Sequence, residues 1–262
     1  MLLDFTEEKM TSSTQERKPL LALLQKTAIA KSTNQGLTLI EGLLAIVIIA
    51  ITMVSITPPI FWAVASRVQT QRAEQALKLA QGEIDRVRTI IDRGKDRTTT
   101  FLPPVVSGNV RDSATVAAPN NAGTGVISTR SCSGTVATLP PANAATFVQI
   151  DTNGDCTADY LLQTFRSQGL DERGNAFTGA SGQTLSGFVM GVRVYSTVAR
   201  AELTAGRGST QPASLRGTNG LGNQLNRPLA VLYSTIVRSN EGQNLEIYRK
   251  LCPANNPTTG SC

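Results

Sequence analysis

The sequence predicts an α+β fold: a long N-terminal helix, apolar in its first half and one-sided in its second, packed on a small antiparallel β-sheet. Three observations carry this reading. From Gly42 to Ser66 there are 25 consecutive residues without a charge. Directly after them, apolar residues recur at intervals of three and four as far as Ile91. Beyond residue 100 the chain turns to short runs of β-branched and aromatic residues, divided by Gly, Pro, Ser, Thr and Asn.

As a helix, the uncharged run would extend roughly 37 Å, enough to cross a bilayer core of about 30 Å. A secretory signal has an apolar core of only about 7–15 residues and a small-residue cleavage site. This run is longer and has no clear A-x-A site after it, so it is expected to stay with the mature chain. Arg17, Lys18, Lys26 and Lys31 precede it and place residues 1–36 on the cytoplasmic side, whereas Arg67 and Arg72 beyond it pull the other way. Pro58 and Pro59 fall inside the run, and a kink or a short melted segment is expected there, because proline removes a helix hydrogen bond.

The stripe that follows is Ala73, Ala76, Leu77, Ala80, Ile84, Val87 and Ile91, with Arg72, Glu74, Lys78, Glu83, Asp85, Arg86 and Arg88 on the other face. One helix is therefore expected from about Leu37 to Asp92, with Gly94 as its stop. Among the later residues, Ala145–Ile150 and Tyr160–Arg166 read as short strands around a turn. Gly187–Val198 and Leu229–Arg238 read as the main antiparallel strands, and Glu246–Leu251 as a further one. Thr98–Ala144 and Leu203–Pro228 read as loop-rich. The expected organisation is a leader (1–36), a membrane or assembly helix (37–66), an amphipathic helix (67–93) and a β-rich domain (94–262).

Composition narrows the chemistry. The chain has no histidine, so neither Ser-His-Asp nor Cys-His catalysis can be built, nor a histidine zinc site. No Gly-x-Ser-x-Gly and no phosphate-binding glycine loop are present, and the chain reads as a non-enzyme. Net charge is +6, with basic residues scattered and few aromatics beside them, which is no nucleic-acid footprint. The four cysteines, Cys132, Cys156, Cys252 and Cys262, all follow the apolar run and form no C-x-x-C pair. They point to disulfides in an oxidising compartment. Of the three possible pairings, proximity in the chain favours Cys132 with Cys156 and Cys252 with Cys262.

One local pattern offers a cation site. Asp151, Asn153, Asp155 and Asp159 put oxygen side chains at alternate positions and then four residues on, like the start of a calcium loop. Against this, the glycine is early, Cys156 stands at the usual glycine position and no Glu closes the loop. The other reading is an Asx/Gly turn between two strands. Arg200, Arg207, Arg216 and Arg227, spread through and around the second loop-rich stretch, either solvate it or contact acidic polysaccharide.

Gly36-Leu37-Thr38-Leu39-Ile40-Glu41, followed by the long apolar run, resembles the prepilin cleavage and methylation signature of type IV pilins and type II secretion pseudopilins. Pro58 falls where many of these proteins carry a helix-melting proline. The likeness covers roughly residues 34–92. It implies a leader ending at Gly36 and removed by a prepilin peptidase, N-methylation of the new terminus at Leu37, and a Glu41 that neutralises the terminal amine of a neighbour during assembly. The family most often has Phe at the position of Leu37, and a 36-residue leader is commoner among its minor pilins and pseudopilins. The stretch ITPPIFWAVASRVQTQRAEQALKLAQGEIDRVR is similar to cyanobacterial pseudopilins of hormogonium polysaccharide secretion, which implies a part in gliding motility. The implied partners are other pilins, the peptidase, an assembly platform with its ATPase, and the inner membrane, with the β-rich domain periplasmic or at the surface. The function expected is that of a structural filament subunit; the alternative is a tip-located minor pilin acting as an adhesin or glycan-binding module.

Overall fold

The computed structural model describes residues 38–93, 99–180, 182–214, 224–239, 242 and 244–255. The fold is α+β, with three helices and one six-stranded mixed sheet among the described residues. The chain divides into two compact units, Met1–Thr57 and Pro58–Cys262.

Helix α1 runs Leu39–Asp92 and crosses the boundary between the units. Its backbone stays helical through Pro58 and Pro59, so the expected melted segment does not form. Two adjacent prolines cost the turn before them its i→i−4 donors without forcing the backbone out of helical φ and ψ. The expected stop, Gly94, lies outside the described residues.

In the second unit, the apolar stripe of α1 is buried as its spacing requires. Ala76, Ala80 and Val87 are fully covered, with Ala73, Ile84 and Ile91 nearly so. Two residues depart from the expectation, on opposite flanks of the stripe. Leu77 remains 39% exposed. Glu83, assigned to the polar face, is buried, and its carboxylate accepts from Arg86 Nε and Nη2, both at 2.7 Å. The i,i+3 spacing lets one arginine fork take both oxygens, which is what permits the burial.

The strands are β1 (Asn121–Ile127), β2 (Thr146–Ile150), β3 (Tyr160–Arg166), β4 (Leu170–Asp171), β5 (Leu185–Ser196) and β6 (Ala230–Val237). β1 pairs β2 in parallel and every other pairing is antiparallel. Long β5 is the centre. Gly187 pairs Leu170 on one side and Val237 on the other, while Met190 pairs Arg166 and Ser234. β4 therefore continues the β3 side after a register shift, and β6 forms the opposite edge. β2, β3, β5 and β6 match the sequence expectation within two residues at each end. β1 arises inside the stretch read as loop.

Alternation along β5 gives the sheet two buried faces. Phe188, Met190, Val192 and Val194 meet the α1 stripe together with Val148, Tyr160, Leu162 and Ile236. Val189 and Tyr195 face the other way. Val110 and Val116 from the loop 102–118 cover that side, with Ile247 and Leu251 of α3 (Asn244–Asn255) and Leu203 of α2 (Arg200–Thr204). The expected strand at Glu246–Leu251 is thus a helix: Ile247 and Leu251, four apart, share its inner face, and Glu246 pairs Lys250 at 3.1 Å. Two buried arginines secure the loops on the sheet. Arg193 donates to the carbonyls of Val116 (2.7 Å) and Ser113 (3.3 Å) and lies 4.9 Å from the Phe165 ring centre. Arg166 donates to the carbonyls of Pro103, Ser167 and Gln168, and burial lowers its pKa to about 10.

Candidate assembly and processing site

The N-terminal unit begins with a helix cap. Thr38 stands just before the first helical residue. Its side-chain Oγ1 accepts from the N–H of Glu41 at 3.4 Å and its carbonyl accepts from Glu41 and Gly42 at 2.9 and 3.1 Å. Thr-x-x-Glu is the sequence form of a capping box, with the acid at N3 near the positive end of the helix. The Glu41 side chain is exposed. Gly36 and Leu37 lie outside the described residues.

Past the cap, Leu39–Ile56 has a mean hydropathy of 2.6 and none of it is buried within the protein. Among the described residues this is the one helix segment long and apolar enough to cross a membrane. Its twelve large apolar side chains, from Leu39 (88% exposed) to Ile56, all face outward. At about 2 kcal/mol each, leaving them in water would cost on the order of 20 kcal/mol. That exceeds the whole net stability of an ordinary domain, about 5–15 kcal/mol. The segment is therefore suited to lipid or to other apolar helices. Its few hydroxyls are already engaged: Thr52 Oγ1 donates to the Ile49 carbonyl and Ser55 Oγ to that of Ile51, both at 2.8 Å. Neither brings an unpaired donor into an apolar medium.

In the second unit, Asp151, Asn153, Asp155 and Asp159 form a closed turn. Asp151 Oδ1 accepts from the N–H groups of Asn153 (3.0 Å) and Gly154 (2.8 Å). Its Oδ2 accepts from Cys156 N–H (2.8 Å) and Ser128 Oγ (2.7 Å). The Ser128 hydroxyl and these N–H groups hold the Asp151 carboxyl below the usual range, against the opposing effect of its burial. Asp155 binds the hydroxyl and N–H of Thr157, which lower its pKa in the same way. Asp159 Oδ2 accepts from the N–H and hydroxyl of Thr152, at 2.9 and 2.6 Å. The three carboxylates do not gather around a common point; among the described residues the cluster with metal-sized spacing is Cys132, Asp151 and Cys156. Its two sulfurs are joined in a disulfide and carry no thiolate. The oxygens that the spacing offers a cation thus accept hydrogen bonds within the turn, which is the Asx geometry.

Cys156 has φ +66°, the left-handed conformation that glycine takes most easily. The disulfide to Cys132 and the bond from its N–H to Asp151 fix it there. Cys252 is disulfide-bonded as well, and Cys262 lies outside the described residues.

Of the recesses that border this turn, two also reach α1. One, of about 280 Å³, has a mixed lining that includes Arg72, Asn153, Asp159, Tyr160 and Val198. Tyr160 donates to Gln75 Oε1 there at 2.6 Å. The other, of about 480 Å³, is mainly apolar and lies between α1 at Leu79 and Gly82 and the sheet at Ile127, Ile150 and Leu162. Among the arginines considered for polysaccharide, Arg207 is paired with Glu202 at 2.8 Å and Arg200 with Gln149; Arg216 lies outside the described residues.

No known protein family, curated protein or solved structure matches this chain. The reading of the site rests on the residues themselves. Sequence reasoning missed the capping role of Thr38, although Thr-x-x-Glu before an apolar run is its signal. It also missed the two buried arginines, for which no local pattern gives notice.

Proposed function

We propose that this chain is a structural subunit, a pseudopilin or minor pilin, of a type IV pilus-like or type II secretion-like envelope machine. The observation that carries this is the wholly exposed apolar helix from Leu39 to Ile56, opened by a Thr38–Glu41 cap and continuing into the stripe that anchors a sheet domain. The work of such a subunit is assembly. It enters the inner membrane with residues 1–36 in the cytoplasm, is cut after Gly36 by a prepilin peptidase and is N-methylated at Leu37. An assembly platform and its ATPase then move the apolar helix from lipid into a bundle of like helices. Glu41 meets a free amine at that step. Its place at N3 keeps the carboxylate at the helix start, within reach of its own Leu37 or a neighbour's. The second unit is then the periplasmic or surface part, and disulfides suit that side of the membrane. Export of polysaccharide for gliding is the narrower role proposed for the machine.

Mass spectrometry of membrane and surface fractions tests the processing step. The expected mature chain begins at Leu37 and carries a methyl group; a chain still beginning at Met1 in cells with active peptidase overturns the proposal. Glu41→Ala is expected to be cleaved normally and to be lost from filaments. Full incorporation of that variant would remove the role given to Glu41.

A further inference from the structure

Strand β6 is an edge whose backbone groups divide by parity. The N–H of Arg238 bonds the carbonyl of Ser186, one step along the ladder in which Ile236 faces Phe188 and Ser234 faces Met190. In an antiparallel ladder, alternate residues turn both N–H and C=O toward the same neighbour. Even-numbered residues of β6 therefore bond β5, and Val231, Tyr233, Thr235 and Val237 turn theirs outward. Among the described residues, none of these outward groups has a hydrogen-bond partner. The strand, AVLYSTIV, contains neither a charge nor a proline, the usual means of blunting an edge.

This edge reads almost the same in both directions about Ser234. Val231 mirrors Val237, Leu232 mirrors Ile236, and Tyr233 mirrors Thr235. We propose that it receives β6 of a second copy of this chain, antiparallel and about a two-fold axis at Ser234, so that one sheet runs through both copies. In that register Val231 meets Val237 and Tyr233 meets Thr235, and every outward N–H and C=O gains a partner. Leu232 lies opposite Ile236 on the α1 side of the sheet. Charge matches as well. Arg88, paired with Asp85 at 3.5 Å, donates to Ser234 Oγ at 2.9 Å, so the axis gathers cations and anions in equal number. On the other face Arg111 donates to Thr235 Oγ1 at 2.6 Å, and Thr235 lies opposite Tyr233 of the second copy. A contact of this kind uses one patch twice and closes at two copies. The two-fold stands normal to the sheet and sets α1 of the two copies antiparallel, so the contact joins chains of different membranes or fibres and not neighbours within one.

The test uses the full chain in detergent micelles. Facing residues of a non-hydrogen-bonded pair have Cα atoms about 4.5 Å apart, within disulfide reach. Ser234→Cys sits on the axis and is expected to give a covalent dimer under mild oxidation. Thr235→Cys, on the same strand but out of register with itself, is expected to give about tenfold less. Ser234→Lys sets like charges face to face, beside the Arg88 of each copy, and should lose the dimer about tenfold in sedimentation. Equal cross-linking at positions 234 and 235 overturns the proposal. So does a Ser234→Lys variant that associates like the parent chain, which would assign association to the exposed segment of α1.

Discussion

Asp151 organises its turn by accepting three N–H groups and one hydroxyl on a single carboxylate. Asp151→Ala would leave those donors without an acceptor, and a lower melting temperature is expected, read by circular dichroism. The pH dependence has a definite sign. The Asp151 and Asp155 carboxyls are held below their unfolded values, about 3.9. Their stabilisation is complete above that pH and is lost as pH falls through the native values. The melting temperature of the parent chain should therefore drop as pH falls below about 4. Asp151→Asn, which cannot ionise, should show a shallower drop over the same range. This turn was half legible in the sequence. The oxygen spacing is plain in the chain, but spacing alone does not say whether the oxygens face a cation or the backbone. Cys156 takes a positive φ at the position where a calcium loop would carry glycine, a conformation that both readings admit, and the observed hydrogen bonds from Asn153, Gly154 and Cys156 are those of the turn.

Among the elements, two glycines of β5 decide how closely the far layer sits. A Cβ on Gly191 would lie 2.4 Å from Phe165 Cε2, and one on Gly187 would lie 2.9 Å from Ile247 Cγ2. Gly191→Ala is expected to destabilise by about 1–3 kcal/mol through overpacking, measured by denaturant unfolding. Gly187→Ala should loosen α3 in particular, seen as faster hydrogen exchange over residues 244–255. The same closeness explains what sequence reading lost. β2, β3, β5 and β6 announce themselves through β-branched and aromatic runs. β1 does not, because Asn-Ala-Gly-Thr-Gly shows no alternation; it is a strand because Gly123 and Gly125 let the neighbouring backbone approach. The α3 segment misled because Ile and Tyr favour strands, whereas its four-residue spacing fits a helix face. Helix α1 was legible almost to the residue, since a sustained periodic pattern outweighs local propensity.

At the scale of the whole molecule, the core belongs to one unit. Among the described residues the first buried apolar side chain is that of Ala73, and none between Leu39 and Ile56 is buried. A chain starting at Pro58 is therefore expected to stay soluble without detergent. It should keep the melting temperature of the full chain within about 4 °C, since no side chain from Leu39 to Ile56 is buried. Aggregation or a molten circular dichroism spectrum would show that the first segment supports the domain. The membrane-competent segment was legible from charge and hydropathy alone, because lipid demands little beyond continuous apolarity. The sheet's second covered face was not, because loop carbonyls held by Arg166 and Arg193 leave no periodic trace.

The Cys132–Cys156 bridge has a mechanical consequence. The 24 residue steps it encloses include the whole of β2, and as free chain they would pay out about 80 Å under tension. Bridged, that length is withheld. A subunit stretched from its two ends should extend by roughly 80 Å less before its backbone is taut than a variant with Cys132→Ser and Cys156→Ser, and single-molecule force spectroscopy would read that difference directly.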